Sequence, residues 1–347
     1  MRLEKRNRIA ELDVLRGFAA LAVVIFHFTM NDNAIKLGWE FRYGVTGVDI
    51  FFMISGFVIY MSILRINRAE DFVVFRFARL YPTYWVCVTI TALFVLYFEP
   101  QNFGLPQVIA NLTMFPTYFG IEDLDGSYWT LLVELWFYFW IFLLLVYKKI
   151  DAIINHSLVI MAVIAVFHLL SPYYPSAYQY ITLKIQILNH FPLFFSGIVF
   201  YKVKFNGLTN RYILCLCASF LLACYLHDKG GRSMYHISAW EHYGLILGYH
   251  LIFVLFIMER LNFLITKPFL YLGKISYSLY LLHQYIGSQL INALQQEFSF
   301  SIEIAILLTL IISLMMASII NQYIETPLND QIRRWYSKKS QKIKQFA

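Results

Sequence analysis

Ten apolar runs of 17 to 25 residues punctuate the chain, at about 12–30, 45–64, 80–98, 128–147, 153–171, 185–201, 211–227, 241–259, 268–292 and 303–324. An α-helix of about 20 apolar residues crosses the hydrocarbon core of a bilayer, so each run reads as a membrane span. The expected fold is therefore all-α, a polytopic membrane helix bundle of about ten transmembrane helices. Its parts would be a basic N-terminus at 1–11, a membrane domain at 12–324 and a basic tail at 325–347. The remaining composition agrees, because only 14% of the 347 residues are charged and 59% are hydrophobic. A soluble domain carries about a quarter charged residues, and disorder requires low hydrophobicity, so both classes are excluded.

The scarce charges are unevenly placed. If the N-terminus is cytoplasmic, the inward segments hold 21 Lys and Arg residues and the outward segments hold 5, namely Lys36, Arg42, Lys184, Lys229 and Arg232. Basic residues concentrate on the cytoplasmic side of membrane proteins, so both termini are expected in the cytoplasm. The +7 net charge is then a topology signal spread over six separate segments rather than a nucleic-acid patch, and no nucleic-acid partner is expected. The basic stretch before the first run resembles the front of a signal peptide. No small-residue cleavage site follows it, and Asp13 and Arg16 open the run, so the first span reads as retained. Cys87, Cys215, Cys217 and Cys224 all lie inside apolar runs and read as small core residues, with no disulfide or metal site.

An ionisable side chain near the bilayer centre costs at least about 2.5 kcal/mol, so each one inside a span is a functional candidate. Arg16 and His27 share the first span. Eleven residues at 100° each place them about 20° apart on one face, separated by about 16 Å of axial rise. Both would face one cavity, although a solitary histidine in an apolar helix is more often a packed core residue. Asp49 lies in Gly47-Val48-Asp49-Ile50-Phe51-Phe52-Met53-Ile54-Ser55-Gly56-Phe57 and needs a partner, with His27 or Arg16 the candidates. The bland alternative is an interfacial acid in a glycine-rich packing segment. Glu134, one and a half turns after Trp129, could orient or deprotonate an imidazole, or could be a structural anchor.

Arg76 and Arg79 are three residues apart and share a helix face. Two guanidiniums there suit a multiply phosphorylated ligand, or equally lipid headgroups. His283 ends a run containing four hydroxyls and reads either as a cavity wall or as a helix contact; His168, His190 and His250 read as structural. The long outward loop 99–127 ends in Leu124-Asp125-Gly126-Ser127 and contains no Lys or Arg, so it could floor an outward-facing site or be a solvated connection. No nucleophile elbow, glycine-rich phosphate loop or His-Glu-x-x-His motif occurs, which favours general-base chemistry on a pre-activated donor.

Taken in order, these residues resemble the integral-membrane acyltransferase-3 family. The resemblance is carried by Arg16 through His27, the Asp49 segment, Arg76-Phe77-Ala78-Arg79-Leu80-Tyr81-Pro82, Tyr128-Trp129-Thr130-Leu131-Leu132-Val133-Glu134, and Leu272-Gly273-Lys274 through His283. Glu325-Thr326-Pro327-Leu328 fits the family's usual ending, and the chain resembles the stand-alone form without an appended extracytoplasmic domain. The resemblance implies transfer of an acyl group, usually acetyl, from cytoplasmic acyl-CoA to a hydroxyl of an extracytoplasmic carbohydrate, such as a surface polysaccharide or O-antigen. It implies residence in a bacterial inner membrane and acetyl-CoA as a co-substrate, with no tightly bound cofactor. By motif, His27 would be catalytic with Arg16, Asp49 and Glu134; Arg76, Arg79 and Arg16 would hold the coenzyme; Trp129, Ser127 and His283 would contact the acceptor. The rival readings are a secondary transporter of a small anion or sugar, for which no paired halves are visible, and a noncatalytic polysaccharide-export partner.

Overall fold

The computed structural model describes residues 9–66, 68–230 and 232–346, with side chains through 338. The basic residues expected at 1–8 and the side chains of Lys339, Lys342 and Lys344 lie outside the described residues. The chain is all-helical, with no strand among the described residues. Among the described residues, seven helices are long and apolar enough to cross a membrane: α1 (Ala10–Thr29), α3 (Gly47–Ile63) with the turn Arg42–Thr46 before it, α4 (Ala69–Phe98), α6 (Trp129–Val146), α7 (Ile153–Leu169), α11 (Ala239–Ile257) and α14 (Ile302–Ile320) with its continuation. A further apolar pair, α8 (Pro175–Lys184) and α9 (Ile187–Asn206), is long enough only together and is bent by 52° at its break, the shape of a broken span or of a re-entrant loop. The protein is thus an integral membrane helix bundle. The runs expected at 211–227 and 268–292 are the shorter helices α10 (Asn210–Tyr225) and α12 (Lys267–Leu282).

The expected span 268–292 is corrected in one respect that matters below. It is two helices, α12 and α13 (Gln284–Gln296), interrupted at His283. The interruption is supported from a distant loop: the Asp125 carboxylate accepts the backbone N–H of Tyr285 at 2.8 Å in the first turn of α13. An acid there satisfies an orphan donor and complements the positive end of the helix. The outward loop is itself ordered, carrying the short helix α5 (Leu105–Leu112), and Asn111 bonds the backbone at Glu122 and Leu124 to hold its return. A second connecting helix, α2 (Asp32–Leu37), follows α1. Beyond α14 a π turn (Asn321–Glu325) leads into α15 (Thr326–Phe346), so the tail expected at 325–347 is helical where described.

Glycines set the two closest helix crossings. A Cβ on Gly17 of α1 would lie 2.6 Å from the backbone nitrogen of Gly273 on α12, and a Cβ on Gly56 of α3 would strike the Phe194 carbonyl of α9. Small residues let backbones approach this closely, which is how helices gain van der Waals contact inside lipid. Three cysteines are buried as expected, whereas Cys217 is exposed on the outer surface of α10 and is not a core residue.

Candidate functional site

From the Gly17/Gly273 contact, α1 and α12 each run ten residues to a histidine. At that point His27 and His283 meet, with His27 Nδ1 3.0 Å from His283 Nε2. The contacts fix the tautomers. His283 Nδ1 lies 2.7 Å from the Tyr280 carbonyl, which can only accept, so Nδ1 carries the proton and Nε2 of the neutral ring is an acceptor. His27 Nδ1 is therefore the donor, shared between His283 Nε2 and the Val23 carbonyl at 2.9 Å. That leaves a lone pair on His27 Nε2, the ring nitrogen with no hydrogen-bond partner among the described residues.

His27 lines a cavity of about 270 Å³ whose walls include Asp49, Trp129, His190, Arg232 and Tyr280. Trp129 supplies a flat aromatic wall, with the Arg232 guanidinium 4.7 Å above its ring and the His190 ring 5.4 Å away. Ser127 lines the cavity too, but its hydroxyl donates to Asp125 at 2.6 Å. It therefore braces the loop, and the expectation of a free acceptor contact at Ser127 is corrected to that extent. Burial holds the Asp125 carboxyl above the ordinary carboxylate range, against the pull of its bonds from Ser127 and Tyr285.

Three expected pairings change. His283 is fully buried behind His27 and does not wall the cavity, so it orients the imidazole instead of touching an acceptor. Asp49 does not pair with His27 or Arg16. It faces α9 and α11, accepting from His242 Nε2 at 3.1 Å and lying 4.0 Å from His190 Nδ1. The start of α11 makes this possible: a Ser238–Glu241 capping box fixes its first turn, Glu241 is held by Arg42 at 2.6 Å, and His242 follows directly. His227 Nδ1 stands 3.0 Å from His242 Nδ1, extending the chain of imidazoles. His190, read above as structural, is a cavity residue. Glu134 is likewise remote from His27, accepting from Ser55 at 2.8 Å and from the Tyr138 hydroxyl.

At the other end of α1, Arg16 lies within electrostatic reach of Arg79, Asp13, Glu134 and Tyr138. The expected arginine pair divides here. Arg79 is ion-paired at 2.8 Å with Glu325, a buried carboxylate that also accepts from Ser278 at 2.7 Å. Arg76 has no carboxylate within ion-pair distance among the described residues. It packs over the Phe72 and Tyr138 rings, and its buried Nε is unpartnered. A buried donor without a partner is costly, and an anion arriving at this end would satisfy it.

The residues that spacing did not reveal are His242, His227, Arg232, Asp125 and Glu325. One signal was available for the central pair: Gly17 and His27 are separated by the same interval as Gly273 and His283.

A family model described as an acyltransferase domain matches residues 9–320. ORF330 of Acidianus two-tailed virus is 24% identical over 300 residues, covering 80% of this chain and 83% of that protein. O-acetyltransferase OatA of Staphylococcus aureus is 26% identical over an alignment covering 100% of this chain and 62% of OatA. Peptidoglycan O-acetyltransferase OatA of Listeria monocytogenes is 26% identical over 166 residues, 42% of this chain and 25% of that protein. The chain therefore spans less than two thirds of either OatA protein. No solved structure matches.

Proposed function

The chain belongs to the acyltransferase-3 family, and from that premise we propose that it transfers an acyl group, acetyl in the first instance, from acyl-CoA to a carbohydrate hydroxyl in the His27 cavity. The observation that carries this reading is the His27–His283 hydrogen bond, which occupies Nδ1 and leaves Nε2 of this cavity-lining residue without a protein partner among the described residues. An acceptor hydroxyl placed against Nε2 loses its proton as its oxygen attacks the thioester carbonyl. The proton then sits on Nε2, and the imidazolium, still donating through Nδ1 to His283, returns it to the departing thiolate. General-base catalysis of this kind contributes about 10²–10⁴-fold. The same lone pair would be the nucleophile of an acyl-histidine route, which rapid quenching of labelled protein distinguishes.

The donor is taken to approach from the Arg16 end. The unpartnered Nε of Arg76 supports a phosphate-bearing ligand there, and the basic inward segments support placing that end in the cytoplasm. A pantetheine arm then has about 16 Å of helix rise to travel to His27. The Listeria protein is named for peptidoglycan, which supports a polysaccharide acceptor; the extracytoplasmic side of a bacterial inner membrane is the location this reading takes for it. The test is acetyl transfer from labelled acetyl-CoA in isolated membranes. Wild type should label a cell-surface glycan, whereas His27→Ala and Arg16→Ala, expressed at equal levels, should not; normal labelling by both variants would refute the site.

A further inference from the structure

The mouth of the His27 cavity carries a guanidinium that the transfer chemistry above does not use. Arg232 sits on a short turn (Arg232–Tyr235), exposed, with one N–H on the Gly126 carbonyl at 3.2 Å and its plane 4.7 Å from the Trp129 ring. Two contacts thus fix its orientation, while no carboxylate comes within ion-pair distance among the described residues. Its basic neighbours differ: Arg42 is paired with Glu241 and Lys229 with Asp228. Asp49, the acid in the cavity wall, is taken by His242. Asp123 acts on Arg232 only from beyond ion-pair distance, so it leaves the fork's hydrogen-bond donors unoccupied. The cavity mouth therefore presents a planar fork with no carboxylate bound to it, of the kind that binds carboxylate or phosphate through paired hydrogen bonds. Exposure at the rim separates this group from an oxyanion donor, which would stand at the depth of His27.

Resting on the acyl-transfer reading, we propose that the acceptor carries an anionic group, a carboxylate or phosphate on the sugar, and that Arg232 receives it at the cavity mouth while Trp129 faces the sugar ring. Arg232 would then select the acceptor and set which hydroxyl reaches His27 Nε2.

The test is equilibrium binding of three probes to the full-length protein in nanodiscs, without donor: methyl glucuronide, glucose 6-phosphate and methyl glucoside. One charge-assisted hydrogen-bonded pair should make an anionic probe about tenfold tighter than the neutral one. The two anionic arms rank carboxylate against phosphate. In Arg232→Gln the preference should fall below about twofold, and in Arg232→Lys, which keeps the charge but not the fork, part of it should remain. Equal binding of all three probes by wild type, or an undiminished preference in Arg232→Gln, would overturn the proposal. Because no donor is present, a preference that survives alongside absent acetyl transfer would count against the acyltransferase reading alone.

Discussion

The two ends of α1 are built on opposite electrostatic plans. Around His27, neutral imidazoles are held by carbonyls and by each other, and they face an open cavity of about 270 Å³. Around Arg16, charged side chains gather, with Arg79 ion-paired to Glu325 and Glu134 accepting from the Ser55 and Tyr138 hydroxyls. Proton transfer needs a group whose lone pair is oriented but unoccupied, whereas holding an anion needs fixed cations whose mutual repulsion is balanced by buried acids. The about 16 Å between them is the distance that one substrate would bridge, so a single helix joins two sites of different chemistry.

The comparison breaks most visibly at His27. His27→Ala should lower the transfer rate by about 10²–10⁴-fold, read as initial acetylation velocity at saturating donor. The next largest effect belongs to the other end, and it is one of stability. Arg79→Ala strands the buried Glu325 carboxylate and should cost about 3 kcal/mol, seen as a lower melting temperature in detergent. Adding Glu325→Gln should recover most of that loss. Arg76→Ala strands no acid, and its melting temperature should stay near wild type. Equal destabilisation by the two arginine variants would remove the distinction between a paired and an available guanidinium.

His283 gives a smaller and sharper test. Its bond to His27 becomes charge-assisted when the imidazolium forms, so His283→Leu should slow transfer by about 10- to 100-fold. His283→Gln, whose carbonyl can accept from His27 Nδ1, should restore part of the rate. The smallest effect lies at the cavity rim. Asp123 ionises near 3.8 ordinarily and at about 6 when buried in the folded protein. The folded state is therefore favoured below the lower value and loses stability as pH rises through 6. Asp123→Asn removes that loss, so the variant should be more stable than wild type by on the order of 2 kcal/mol at pH 7.5, with the gap narrowing by more than half at pH 4.5.

Much of the bundle was readable because lipid imposes one simple rule, a helix of fixed length for each apolar run. The shared direction of Arg16 and His27 follows from their lying on one regular helix, but the cavity expected to take both is lined by His27 and not by Arg16. The tertiary partners were not. His27 and His283 are 256 residues apart, and their meeting depends on where two glycines let α1 and α12 cross. The break at His283 is hidden because the apolar run continues through it, and the acid that supports α13 comes from a loop far away. Asp49 reads as a partner of His27 or Arg16 because a carboxylate inside a span needs one, but the capping box of α11 delivers His242 to it instead.

The central claim is that chemistry resides at the His27 end and donor binding at the Arg16 end. The most direct test measures kcat and acetyl-CoA affinity together, on wild type, His27→Ala and Arg76→Ala reconstituted in vesicles. The account predicts that His27→Ala loses at least about 100-fold in kcat with donor affinity within about twofold of wild type. It predicts that Arg76→Ala weakens donor affinity by about tenfold with kcat largely retained. If both variants change the same parameter, or if His27→Ala keeps its kcat, the division of labour along α1 is wrong.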